Sequence, residues 1–146
     1  MRQSHIHIVQ SSFARILPMS ERVAKMFYNN LFTLDPSLRP LFSGDLNEQG
    51  RKLMSALTLV VKGLNDRHQI LPALHSLGQR HVRYGVTPEQ YATVGLALLL
   101  TLEQGFGDEF TPELREAWTA AYEMIASAMI RGGDAAHGGE GTTAAA

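Results

Sequence analysis

The sequence predicts an all-α fold built as one domain. Apolar residues recur at three- and four-residue steps through most of the chain, and Gly and Pro gather mainly between those periodic segments. No stretch shows the strict alternation of a half-buried strand. The 146 residues, 45% of them hydrophobic, suit one ordinary core.

The elements follow in order. Ile6, Val9, Phe13, Ile16 and Leu17 share one helical face, and Pro18 ends that segment. Val23, Met26, Phe27, Leu31 and Leu34 form a second stripe, with Tyr28 and Phe32 beside it. Asp35-Pro36 reads as a helix start, Asp as cap and Pro in the first turn, for a short helix reaching Phe42. A helix from about Asn47 to Leu64 buries Leu53, Ala56, Leu57, Val60 and Leu64, and Gln49 lies one step before Leu53 on that face. After a break at Asn65–His68, Ile70, Leu74 and Leu77 lead to His81, with Pro72 tolerated in the opening turn. Gly85 then turns the chain. Thr87-Pro88-Glu89-Gln90 carries a capping box and opens a helix with Tyr91, Val94, Leu98 and Leu102 on one face. Gly105–Asp108 stops it, and Thr111-Pro112 starts a last helix burying Leu114, Trp118, Ala121, Ile125 and Met129. Residues 132–146 are mostly Gly and Ala, so a flexible tail is expected after a folded domain of residues 1–131.

Composition narrows the partners. The formal net charge is −1 and the 13 basic residues are scattered, so no nucleic-acid surface is expected. Without cysteine there are no disulfides or thiolate metal sites. Met1–His5 has no apolar signal core behind it, and the apolar run Ala92–Leu102 is about half of the roughly 20 residues a membrane span needs. A soluble, cytoplasmic protein with no membrane partner is expected, as a monomer or weak homodimer.

A plain helical bundle leaves four polar residues on apolar faces unexplained: Tyr28, Gln49, His81 and Tyr91. A histidine at a core position needs a hydrogen bond, a metal, or iron in a cofactor. His5 and His7 diverge on a helix, as do His75 and His81, and no spacing matches a zinc motif. One imidazole can still hold haem iron, because the porphyrin supplies the in-plane ligands. A histidine bonded to a carbonyl or a tyrosine, and a tyrosine with its hydroxyl at the rim, remain the plain alternatives.

The order and spacing of these residues resemble a known family. Phe27-Tyr28-Asn29-Asn30-Leu31-Phe32, Asp35-Pro36-Ser37-Leu38-Arg39-Pro40-Leu41-Phe42, Gln49 to Leu53, Arg80-His81-Val82-Arg83-Tyr84-Gly85-Val86, Tyr91 and Ala117-Trp118-Thr119-Ala120-Ala121-Tyr122 are similar, in register, to the bacterial single-domain haemoglobins and the globin half of flavohaemoglobins. The likeness runs from about Ile6 to Ile130. It implies a globin fold of six to eight helices around a haem b pocket.

Carried over by residue, the resemblance makes His81 the proximal iron ligand and Phe42 the aromatic on the haem face. Tyr28 and Gln49 become the distal pair that hydrogen-bond a gas, and Leu53 the distal apolar residue. Tyr91 becomes the proximal tyrosine. Leu77, Val86 and Val94 are further expected cofactor contacts, and Lys52, Arg80 and Arg83 are expected at the propionates. The function implied is reversible binding of O2, NO and CO at a penta-coordinate iron, for O2 storage or transport. The alternative is a nitric oxide dioxygenase that makes nitrate from NO and O2. That alternative needs a separate reductase, since no flavin or nicotinamide domain is evident. The sequence departs from the family at one point: Gly133 stands where flavohaemoglobins carry a glutamate behind the proximal histidine, and neighbouring Asp134 is the available substitute.

Overall fold

A computed structural model describes residues 1–42 and 44–138, with side chains through Asp134. Six α-helices and three short 3₁₀ turns make up the fold: α1 Gln3–Ile16, α2 Ser20–Leu34, α3 Leu46–Lys62, α4 Arg67–Arg83, α5 Pro88–Phe106 and α6 Pro112–Gly138. The expected starts are built as the side chains suggest. The Asp35 carboxylate accepts from the Ser37 backbone N–H at 3.1 Å, so the chain turns into the 3₁₀ segment Pro36–Leu41. The Gln90 side-chain oxygen accepts from the Thr87 N–H at 2.9 Å, which is half of the capping box opening α5.

The core forms where α1, α2, α5 and α6 meet. Val9, Leu31, Ala97 and Trp118 are sealed there. Two of its polar side chains pair with each other: the Trp118 indole N–H donates to Ser12 Oγ at 2.9 Å, and that hydroxyl donates to the Ile8 carbonyl at 2.7 Å. Asn30 donates to Thr101 Oγ1 at 2.9 Å, linking α2 to α5. Among the described residues no helix is long and apolar enough to cross a membrane.

The most extensive helix pair is α4 with α6. A seam of glycines allows it. A Cβ on Gly78 would stand 2.6 Å from the Met129 carbonyl carbon, and one on Gly133 would stand 2.6 Å from Val82 Cγ2. Gly132 lies equally close to the backbone of His75. Gly132 and Gly133, where the sequence places the start of a tail, take part in these contacts. The helix α6 continues through Gly132 and Gly133, both buried, to Gly138. Glycine is a poor helix former in isolation, but here its missing side chain lets two backbones touch, and tertiary packing outweighs propensity. The rest of the expected tail, 139–146, lies outside the described residues.

Consecutive helices α3 and α4, by contrast, do not form a packed pair among the described residues. The faces expected to be buried there are only half covered: Leu53, Ala56 and Leu57 on α3, and Leu77 and His81 on α4. Tyr91 and Val94, at the start of α5, are half-buried too. The fold therefore has a sealed core and, packed at its margin on α3, α4 and the start of α5, apolar side chains that are only half covered.

Candidate functional site

His81 sits in the last turn of α4. Its Nδ1 is 2.8 Å from the carbonyl oxygen of Leu77, one turn earlier. A carbonyl only accepts, so Nδ1 carries the proton and Nε2 keeps its lone pair. Nε2 has no hydrogen-bond partner among the described residues. Burial lowers the pKa of His81 from its ordinary value; the Leu77 carbonyl opposes that shift and the charge of Arg80 adds to it. The site thus holds a neutral imidazole with fixed tautomer and one free nitrogen.

The backbone beyond His81 is equally constrained. Gly85 adopts φ 91°, a left-handed conformation that suits glycine. The Gly85 N–H donates to the Val82 carbonyl at 3.0 Å, and the Val86 N–H donates to the His81 carbonyl at 2.9 Å. This pair of bonds is a Schellman cap. It ends α4 one turn past the histidine and folds Val86, half-buried, back beside it. Tyr91 follows, its ring 6.3 Å from the imidazole and inclined at 27°. The Tyr122 hydroxyl donates to the Tyr91 carbonyl at 2.7 Å and pins the start of α5 to α6.

A second cluster forms on α2 and the segment after it. Tyr28 is buried, and its ring meets the edge of Phe42 at 5.4 Å and stacks near Phe32 at 6.0 Å. Its hydroxyl donates to the backbone carbonyl of Gln49 at 3.3 Å. That reach depends on a close crossing one turn earlier, where a Cβ on Gly50 would stand 2.9 Å from the Cβ of Ala24. Burial pushes the Tyr28 phenol up to about 12, so it is protonated at neutral pH and remains a donor. Gln49 itself is half-buried.

Of the residues expected at the site, the structure therefore groups His81, Leu77, Val86 and Tyr91 on one side, and Tyr28, Phe42 and Gln49 on the other. Leu53 and Val94 add half-buried apolar surface. Lys52, Arg80 and Arg83 are exposed, and none forms an ion pair among the described residues. Asp134 is exposed, while Gly133 is packed against Val82 and Gly78. Among the described residues no carboxylate bonds His81, and its hydrogen-bonding partner is the Leu77 carbonyl.

Two contributors were missed by sequence reasoning. The Leu77 carbonyl is a backbone group, visible only as the residue four before His81. Arg39 donates to the Phe42 carbonyl at 2.6 Å and lies over the Phe32 ring at 5.5 Å, so it clamps the turn that presents Phe42. Its signal was the Arg three residues before a phenylalanine in a Pro-bounded turn.

The residues fit a haem. The free Nε2 is a suitable axial ligand, and the half-buried apolar side chains of α3, α4 and α5 offer walls to a flat apolar ring. Among the described residues, no group of three or more His, Cys, Asp or Glu could hold a bare metal ion.

Comparisons with known proteins agree. A family model described as Globin matches residues 25–129. The flavohemoprotein of Vibrio cholerae is 29% identical over 133 residues, which is 89% of this chain and 34% of that protein. The neuroglobin of Danio rerio is 34% identical over 121 residues, covering 73% of this chain and 76% of that one. The chain spans about a third of the length of the flavohemoproteins it matches. In structure it is similar to a bacterial globin from Campylobacter jejuni, with a TM-score of 0.83, 22% identity, and coverage of 93% of this chain and 99% of that one.

Proposed function

This chain belongs to the globin family, and from that premise we propose that it binds haem b through His81 and reversibly binds O2, NO and CO, serving O2 storage or transport. One observation carries the proposal. His81 has its Nδ1 tied to the Leu77 carbonyl at 2.8 Å, while Nε2 keeps a free lone pair. An imidazole so arranged is poised to ligate, since the bond to the Leu77 carbonyl fixes both tautomer and ring orientation.

Haem, if bound, would be held by His81 and would supply an iron centre able to bind a diatomic gas. The chain's own residues do the rest. Leu77, Val86 and Val94 pack against the ring on this reading, Leu53 and Phe42 narrow the gas side, and Lys52, Arg80 and Arg83 meet the propionates. These apolar walls keep water and protons away. The Tyr28 hydroxyl, turned away from the Gln49 carbonyl it meets here, and the Gln49 amide then act as donors toward the gas. Each such bond contributes about 0.5–1.5 kcal/mol net, which is roughly two- to twelve-fold in affinity.

His81 itself is held as a neutral imidazole bonded to a carbonyl. A carboxylate in that place would make the ligand more basic and push more electron density forward. This favours reversible gas binding over peroxidase-like chemistry. The chain acts, on this reading, in the cytoplasm as a monomer or weak homodimer.

A second reading, nitric oxide dioxygenation, is favoured by the presence of both Tyr28 and Gln49, which resemble that enzyme's distal pair, and by the flavohemoprotein relatives. NO, O2 and one electron give nitrate, and the electron comes from a separate reductase. The deciding experiment supplies the haem-loaded ferrous protein with O2, NO and a reductase and follows nitrate. Storage predicts a single stoichiometric oxidation that then stops. Sustained nitrate over many turnovers contradicts storage and establishes the enzyme.

A further inference from the structure

A cavity of about 420 Å³ lies between α2 and α3, and no residue of α4 or α5 lines it. Its lining thus includes neither His81 nor the residues that neighbour it on α4 and α5. Its apolar floor is Ala24, Tyr28, Phe32 and Met54. Lys25 and Arg51 stand in the same lining with a single acidic residue, Glu21, leaving one excess positive charge. Both cations are exposed, and neither is engaged in an ion pair among the described residues. The volume falls in the range of roughly 300–1,000 Å³ that small-molecule sites occupy, and an apolar floor with a few polar groups is their usual construction. A diatomic gas would fill only a small part of it.

We infer that this notch is a second small-molecule site, for an anion with an apolar body such as an organic carboxylate, and that its occupant acts on Tyr28. The apolar body lies on the floor, and the carboxylate meets Lys25 and Arg51, the latter able to bind it through two parallel N–H donors. Tyr28 is the shared wall: its ring lines the notch, while its hydroxyl reaches the Gln49 carbonyl. A body pressed against that ring changes where the hydroxyl can point. The coupling to gas binding rests on the globin reading above, whereas the binding itself does not.

The test uses the ferrous, CO-saturated haem protein, in which the gas position is filled and cannot capture a carboxylate. Calorimetry with 2-naphthoate is expected to show one site per chain. Lys25→Ala with Arg51→Ala should weaken that binding at least ten-fold while leaving the CO spectrum unchanged. The neutral analogue 2-naphthalenemethanol should bind the parent and the double variant alike. In the oxy protein, saturating naphthoate should change the O2 release rate at least two-fold, and Tyr28→Phe should abolish the change. No binding at millimolar naphthoate, equal binding to the double variant, or an unaltered release rate overturns the inference. Failure of the globin reading would show separately, as a protein that takes up no haem.

Discussion

Gly78→Ala should loosen the whole proximal side. Alanine is the better helix former by about 1 kcal/mol, so in an open helix the change would stabilise. Here the new Cβ would lie 2.6 Å from the Met129 carbonyl carbon and 2.9 Å from its Cα. Those atoms belong to the α6 backbone and cannot rotate away, so α4 and α6 must separate. Overpacking of this kind costs about 1–3 kcal/mol, and more where backbone must move. Placing this case at the upper end, or just above it, and subtracting the propensity gain leaves a net loss of about 2 kcal/mol. For a chain of this length that is a Tm lower by roughly 6–8 °C. Gly105→Ala is the control: it sits near the end of α5 with nothing within 4 Å of the added Cβ. It should be neutral or stabilising by about 0.5 kcal/mol. Thermal unfolding followed by circular dichroism reads both. A Gly78→Ala protein as stable as the parent would show that the glycine seam is not a close helix contact.

Four further outcomes are expected. Tyr28→Phe should raise the O2 dissociation rate by roughly two- to twelve-fold in stopped flow, with haem content unchanged; an unchanged rate would remove Tyr28 from the distal role. Ser12→Ala strands the buried Trp118 N–H, now bonded at 2.9 Å, and should cost about 1–3 kcal/mol in urea unfolding; no loss of stability would show the bond to be dispensable. His81 binds protons less readily folded than unfolded. Its contribution to stability is therefore present above the unfolded imidazole pKa of about 6.5 and is lost as pH falls through the lower folded value. Acid unfolding of the haem-free protein should be less steep in His81→Gln, and an identical acid limb would contradict this. Tyr28 has the opposite sign. Its folded pKa is raised to about 12, so its stabilisation holds below about pH 10 and fades between the two values. Tyr28→Phe should flatten that alkaline limb, and an unaltered limb would refute the assignment.

Much of this fold is written in local signals. Asp35-Pro36, Thr87-Pro88 and Thr111-Pro112 lie where helices or 3₁₀ turns begin, because cap and proline chemistry act within four residues and need no tertiary partner. The end of α6 was not legible. Gly132 and Gly133 look like a break until α4 is placed against them, and that contact joins residues more than 50 apart in the chain. The distinction between sealed and half-covered faces was hidden for the same reason. Leu53 and Leu57 have the same periodicity as Val60 and Leu64, yet the second pair is buried and the first is only half covered. His81 stood out in the sequence because a histidine on an apolar stripe asks for a partner. That the partner is the Leu77 carbonyl could only come from coordinates, since any residue four positions earlier presents the same group.

On the reading proposed above, His81 Nε2 holds a haem against the half-buried apolar faces of α3, α4 and α5. Titration of haem-free protein with haem, followed by the absorption spectrum of the ferrous protein under CO, tests it most directly. The account predicts a sharp Soret band saturating at one haem per chain, with stable haem retention abolished in His81→Ala and partly restored by added imidazole. A wild-type protein with no Soret band, or a His81→Ala protein that retains haem as tightly as wild type, would contradict it.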